Sequence, residues 1–128
     1  MPNGQRTTSS LRSMTDIQEL TDIILKFRND RNWKQFHNEK DLALSLVLEA
    51  TEVLEHFQWK NNEHLEKYLK EHKTDLGEEL SDVLYWVLLL SHDLGIDIKS
   101  AFKQKMELNA KKYPIEKAKD SDKKYNEL

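Results

Sequence analysis

Asp41-Leu42-Ala43-Leu44-Ser45-Leu46-Val47-Leu48-Glu49-Ala50-Thr51-Glu52-Val53-Leu54-Glu55-His56-Phe57-Gln58-Trp59 is the stretch on which the fold turns. Wound as a helix at about 100° per residue, it gathers Ser45, Glu49, Glu52 and His56 into a strip roughly 60° wide. Apolar side chains border the strip, with Leu42, Leu46 and Val53 on one side and Leu44, Leu48 and Trp59 on the other. A solvated helix face is broad and polar, whereas this is a narrow acidic seam set into an apolar surface. The pattern recurs downstream, where Glu79, Asp82 and Trp86 share a strip flanked by Val83, Leu89 and Leu90.

Residues three apart on a helix have Cβ atoms about 5–6 Å apart, so Glu49 with Glu52, and Glu79 with Asp82, can each converge on one or two cations. Two such helices packed antiparallel bring the four carboxylates together. Buried anions without a counter-charge are very costly and shift toward the protonated form, so the seam calls for cations. All-oxygen ligation suits Mg²⁺ or Mn²⁺, and magnesium in turn implies a phosphate-bearing substrate. The other acids of these helices, Glu55, Glu63, Glu66, Glu71 and Glu78, read as surface residues. His56 shares the seam but reads as a packing or hydrogen-bonding residue outside the metal set.

Outward from the seam, the pattern predicts an all-α protein. Helix one follows a capping-box pattern, Thr15 to Gln18, carries Ile17, Leu20, Ile24 and Phe27 at helical spacing, and ends near Asp30. Arg31 to Lys40 reads as a loop. Helix two starts near Asp41, a candidate N-cap, and runs to about Trp59; Lys60 to Lys73 is charged, with a short exposed helical turn around Leu65 to Leu69. Helix three spans about Asp75 to Leu94, stopped by Gly95, and Asp97 caps helix four, Ile98 to Lys112, which ends before Pro114. The tail from Ile115 is charged and largely irregular. Residues 1–13 form a leader without periodicity, disordered or added to the natural start at Met14, and 14–128 form one all-α domain of four-helix-bundle type.

Composition narrows the function. The 128 residues suffice for one modest core, and three Gly and two Pro fit long helices with few turns. A formal charge of −3 lacks the basic excess of a nucleic-acid binder, and the chain has no cysteine for a disulfide, thiolate metal site or thiol nucleophile. The polar N-terminus carries no secretory signal and the Val83–Leu90 apolar run is far short of the ~20 residues that cross a bilayer, so a cytoplasmic protein without membrane partner is expected. That same run is apolar around its whole circumference, which asks for neighbours on every side and predicts a homo-oligomer, dimer or tetramer.

The ordered set Arg31-Asn32-Trp33, Gln35-Phe36-His37, Glu49-Ala50-Thr51-Glu52, Phe57-Gln58-Trp59-Lys60, Glu78-Glu79-Leu80-Ser81-Asp82-Val83-Leu84, Lys105-Met106, Asn109, Tyr113-Pro114 and Lys124-Tyr125-Asn126-Glu127-Leu128 resembles the MazG-like all-α nucleoside triphosphate pyrophosphohydrolases, and within them the dCTP-cleaving members. The resemblance implies that Glu49, Glu52, Glu79 and Asp82 are metal-binding and catalytic, the residues that helical geometry isolates independently. It also implies that Trp33, His37, Trp59 and Trp86 belong to the nucleobase pocket, and that Lys105, Asn109 and Tyr113 hold phosphates and sugar. The chain departs from that pattern at Leu48, where many members have a further Glu, and at Trp86 and Ile24, where dCTP-cleaving members tend to have Tyr and His.

The function so implied is Mg²⁺-dependent cleavage of dCTP, or a modified dCTP, to the monophosphate and pyrophosphate, with Mn²⁺ as an alternative ion and any of the four carboxylates, Glu52 among them, as the residue that orients or deprotonates water. The same chemistry on dUTP or on deoxynucleotides broadly, and a non-enzymatic helical adaptor, are the rival readings. A carboxylate-bridged di-iron bundle would place Glu-x-x-His pairs on two helices, and the chain has no such pair.

Overall fold

A computed structural model describes residues 16–128; the leader and the Thr15 cap lie outside the described residues. Among these, six α-helices and two 3₁₀ turns form, and no strand. The helices are α1 (Asp16–Asp30), α2 (Glu39–Glu55), α3 (Asn62–Glu71), α4 (Lys73–Asp93), α5 (Ile98–Lys112) and α6 (Ile115–Ala118), with 3₁₀ turns at Lys34–Phe36 and Tyr125–Glu127. None of the helices is long and apolar enough to cross a membrane. The chain divides into two compact units, one ending at Gly95 and the other running from Ile96 to Leu128.

In the first unit α4 is the central element, packed chiefly on α2, then on α1, and lightly on α3. The residue order across the α2–α4 contact is reversed, His56 near Glu79 and Glu49 near Asp82, so the two helices run antiparallel as expected. Leu88 and Leu89 of α4, Leu42 of α2 and Ile24 of α1 are the buried apolar side chains among the described residues.

The local signals explain most boundaries. Asn38, not Asp41, caps α2: its side chain accepts from the Asp41 backbone N–H at 2.9 Å and its amide donates to the Asp41 carboxylate at 2.8 Å. The helix therefore begins at Glu39, with Asp41 as its third residue, where an acid favours the positive end of the helix dipole. Asn61 caps α3 in the same way, accepting from the His64 N–H at 3.0 Å, and converts the expected exposed turn into a full ten-residue helix. Asp97 caps α5 as expected, and Gly95 stops α4 at φ 68°.

Two expectations need correction. Helix α2 ends at Glu55 instead of Trp59: the His56 and Phe57 N–H groups already turn to carbonyls three residues back, and Trp59 beyond them adopts the left-handed conformation, φ 67°. No glycine marks that stop, and for an L-residue such a conformation costs roughly 1–2 kcal/mol. On α1 the buried positions are Thr21, Ile24 and Arg28, whereas Leu20, Ile23 and Phe27 stay partly exposed. Polar residues occupy the inner face because each is satisfied there: the Thr21 hydroxyl donates to the Ile17 carbonyl at 2.7 Å, and Arg28 pairs with Asp93.

In the second unit α5 carries Lys105, Asn109 and Tyr113, its C-cap, at four-residue steps along one face. Tyr113 meets Tyr125 of the terminal 3₁₀ turn edge-on, ring centroids 6.1 Å apart.

Candidate metal and nucleotide site

Helices α2 and α4 turn their acidic strips toward each other. One carboxylate oxygen from each of Glu49, Glu79 and Asp82 lies within 4.8 Å of the others. Glu52 lies beside both Glu49 and Glu79, close enough to raise the pKa of each. Burial pushes the Glu49 carboxyl above its usual range, and its hydrogen-bonding interaction with Glu52, joined by the nearby charges of Glu52, Asp82 and Glu79, adds to the rise. For Glu79 the hydrogen bond with Glu52 is the main cause of an upward shift, joined by burial, Glu52 and Asp82 and opposed by His56.

Glu49 Oε2 is buried and has no hydrogen-bond partner among the described residues. A buried carboxylate oxygen without a donor costs free energy unless it is protonated or meets a cation. Convergent oxygens, an orphaned one among them, and no nitrogen or sulfur donor in the trio fit a hard divalent cation. In chemistry as well as in placement, the carboxylate cluster is one that could hold a metal ion.

Beside it opens a cavity of about 430 Å³ lined by Ile23, Ile24 and Phe27 of α1, Trp33 and His37 of the connecting segment, Glu49, and Asp82, Tyr85 and Trp86 of α4. Glu49 and Asp82 belong to both the cluster and the cavity wall. The aromatic rings contact one another edge-on: Phe27 with Trp33 at 5.6 Å between centroids, Phe27 with Tyr85 at 6.3 Å, Tyr85 with Trp86 at 4.8 Å, and His37 with Trp86 at 5.9 Å. Edge-to-face packing holds each ring in a fixed plane and leaves flat apolar surface for a planar ligand. The Arg31 guanidinium covers the Phe27 ring at 3.7 Å.

His37 is held neutral at the cavity wall, its pKa lowered by burial and by Arg28, with Asp93 opposing, and its buried Nδ1 has no partner among the described residues. Behind it Arg28, 1 % exposed, donates from both terminal nitrogens to Asp93, at 2.7 and 2.9 Å. This pair was not read from the sequence. Its signal was available: Arg28 continues the Thr21–Ile24 spacing of the inner face of α1.

Of the site residues expected, the structure brings together Glu49, Glu52, Glu79 and Asp82, and places Trp33, His37 and Trp86 in the adjoining cavity. Trp59 does not line that cavity; its side chain is 94 % exposed. Lys105, Asn109 and Tyr113 belong to the second unit. Phe27, Tyr85 and Ile23 join the cavity without having been singled out, since an apolar residue at helical spacing reads equally as core.

Residues 44–128 match the MazG-like family. Human dCTP pyrophosphatase 1 is 34% identical over 114 residues, which cover 88% of this chain and 67% of that protein. The Bos taurus dCTP pyrophosphatase 1 is 32% identical, covering 98% of this chain and 78% of that protein. Among solved structures, a pyrophosphatase from Archaeoglobus fulgidus is 39% identical and superposes with a TM-score of 0.72 over 78% of this chain and 94% of that one.

Proposed function

The chain belongs to the MazG-like family, and we propose that it is a nucleoside triphosphate diphosphatase that depends on Mg²⁺, with Mn²⁺ able to substitute, and converts dCTP or a modified dCTP to the monophosphate and pyrophosphate. One observation carries this reading: Glu49 and Asp82 belong at once to the convergent carboxylate group and to the wall of an aromatic cavity large enough for a nucleobase. A planar base and a charged phosphate chain need those two surroundings side by side. The adaptor alternative gives no reason for the juxtaposition.

In this reading Glu49, Glu52, Glu79 and Asp82 hold the divalent cations, which when bound neutralise phosphate oxygens and make the α-phosphorus accessible to water. Trp33 and Trp86 stack on the base, a contact worth about 1–3 kcal/mol that does not by itself choose among bases. His37, neutral and with a free buried nitrogen, offers the hydrogen bond that can choose. Glu52, outside the tight trio yet beside two of its members, is suited to take the proton of the attacking water. Lys105 supplies a point charge to the departing pyrophosphate, and Asn109 and Tyr113 supply hydrogen bonds to phosphate and sugar. The protein acts in the cytoplasm, where nucleotide pools are made.

Product analysis over a panel of nucleotides with Mg²⁺ tests the assignment. With dCTP, dCMP and pyrophosphate are expected; dCDP with orthophosphate would place attack at the γ-phosphorus and defeat the reading. Faster turnover of dUTP, or equal turnover of all deoxynucleotides, would move the substrate and keep the chemistry.

The working form is a homo-oligomer in the same proposal. Leu44, Val47, Leu48 and Leu54 form an exposed apolar stripe along α2, with Leu48 64 % exposed, and Leu80 and Leu84 are exposed on α4. So much apolar surface is an association face in a soluble protein, and two-fold pairing of like chains is its commonest cover. Trp59, strained and projecting from the end of α2, is then available to a neighbouring copy's base site. Light scattering is expected to give at least twice the 15.2 kDa chain mass; a fully active species at the monomer mass would refute the shared assembly.

A further inference from the structure

His56 stands at the C-cap of α2, half-buried, with its two ring nitrogens facing different partners. Nε2 approaches Glu79 Oε1 at 3.7 Å, while Nδ1 lies 2.6 Å from the Tyr68 hydroxyl of α3. A neutral imidazole carries one N–H, and the hydrogen bond made by one nitrogen fixes the state of the other. A carboxylate in front of Nε2 favours the proton there. Nδ1 is then the acceptor and the Tyr68 hydroxyl the donor.

Tyr68 is itself held in place. Its ring stacks on His72 at 4.1 Å with a 20° interplanar angle, and the Lys60 ammonium lies 4.1 Å from the ring centroid. His72 in turn is tied to the Asp75 carboxylate at 3.0 Å. Helix α3 touches α4 only lightly, and this polar chain joins it to His56 beside the carboxylate cluster.

We propose that His56 is a positioning residue for the metal ligand Glu79, held by Tyr68 with its Nε2–H toward that carboxylate, which it keeps in the orientation that receives a divalent cation. This rests on the reading of Glu79 as a ligand. His56 Nε2 faces Glu79 Oε1 from outside the carboxylate trio, and such outer partners of metal ligands typically account for about 10–100-fold in affinity.

Mn²⁺ titrated into the full metal-free chain without nucleotide, with free Mn²⁺ followed by its electron paramagnetic resonance signal, separates positioning from simple packing. His56→Leu is expected to weaken Mn²⁺ binding about tenfold or more, and Tyr68→Phe severalfold. His56→Gln, which keeps an N–H near the Nε2 position, is expected to stay within about threefold of wild type. Should the leucine variant fail to fold, Tyr68→Phe, which removes a single hydroxyl, carries the test alone. Wild-type affinity in both His56→Leu and Tyr68→Phe overturns the positioning role and leaves the metal site standing. A wild-type chain that binds no Mn²⁺ overturns the metal reading itself, and this inference with it.

Discussion

Glu49→Gln is expected to lower turnover by about two orders of magnitude or more while raising the melting temperature of the metal-free protein at neutral pH. The amide keeps the shape of the side chain but is a weaker ligand, and loss of a ligand should cost at least as much as the ~100-fold seen for outer partners. The gain in stability follows from the electrostatics of the seam when chelator removes cations. Glu49 is pushed toward its protonated form by burial first and then by Glu52, Asp82 and Glu79. A carboxyl whose folded pKa is raised binds protons more tightly in the native state than in the unfolded chain. Its stabilising contribution is complete below the unfolded value of about 4.3 and is lost as pH rises through the raised folded value. The metal-free wild type should therefore melt progressively earlier from about pH 4 toward pH 8, and the Gln variant should show a shallower decline. Mg²⁺ should restore the wild type at the upper end and the variant hardly at all. Melting curves with EDTA and with Mg²⁺, beside hydrolysis rates, check both halves; chelator should abolish hydrolysis. A variant that melts earlier than wild type in EDTA would mean that Glu49 supports the fold instead of straining it.

The parts of the site that follow from helical periodicity were legible before any coordinates. Glu49, Glu52, Glu79 and Asp82 repeat at three-residue spacing inside apolar borders, and the fold needs only to place α2 against α4 to bring them together. Boundaries marked by their own chemistry were legible too, such as Asp97 before α5 and Gly95 after α4. The end of α2 was not: the helix gives way to turns at His56, and Trp59 after them takes a left-handed conformation that its side chain disfavours. Nothing local announces such a residue; the surrounding structure imposes it.

Contacts between polar residues far apart in the chain were the other blind spot. The Tyr68 hydroxyl and His56 are 12 positions apart, and Arg28 and Asp93 are 65 apart. Each residue alone reads as surface, since Arg, His and Asp are mostly exposed in proteins. Only the partner makes burial affordable. Lys105, Asn109 and Tyr113 illustrate the converse: their shared face on α5 is plain from spacing, while their assignment to phosphate and sugar comes from family resemblance alone.

Asp93→Ala is expected to destabilise the fold by about 3–5 kcal/mol, the largest stability effect of any single change here, because it strands a buried guanidinium. The Arg28 side chain is 2% exposed and that of Asp93 11%, and the two are joined by paired hydrogen bonds of 2.7 and 2.9 Å. Such a pair gains little over a well-packed apolar one, since desolvating both ions offsets their attraction, but losing one partner leaves the other uncompensated. Arg28→Met combined with Asp93→Leu should accordingly cost far less than Asp93→Ala alone. The pair also gives the fold an acid limit. The Arg28 hydrogen bonds hold the Asp93 carboxyl below its usual range, with burial opposing and the charges of Arg28, His92 and Lys34 assisting. A depressed folded pKa contributes stability that is present above the unfolded value of about 3.9 and is lost as pH falls through the folded one. In the double variant that part of the acid sensitivity should vanish. Thermal melts of the three proteins at neutral and acid pH measure all of this, and Asp93→Ala should lower the midpoint by more than about 10 °C. Equal stability of Asp93→Ala and wild type would show that water reaches Arg28. The pair would then be an exposed ion pair worth about 1 kcal/mol or less, and the wall behind His37 would be wet.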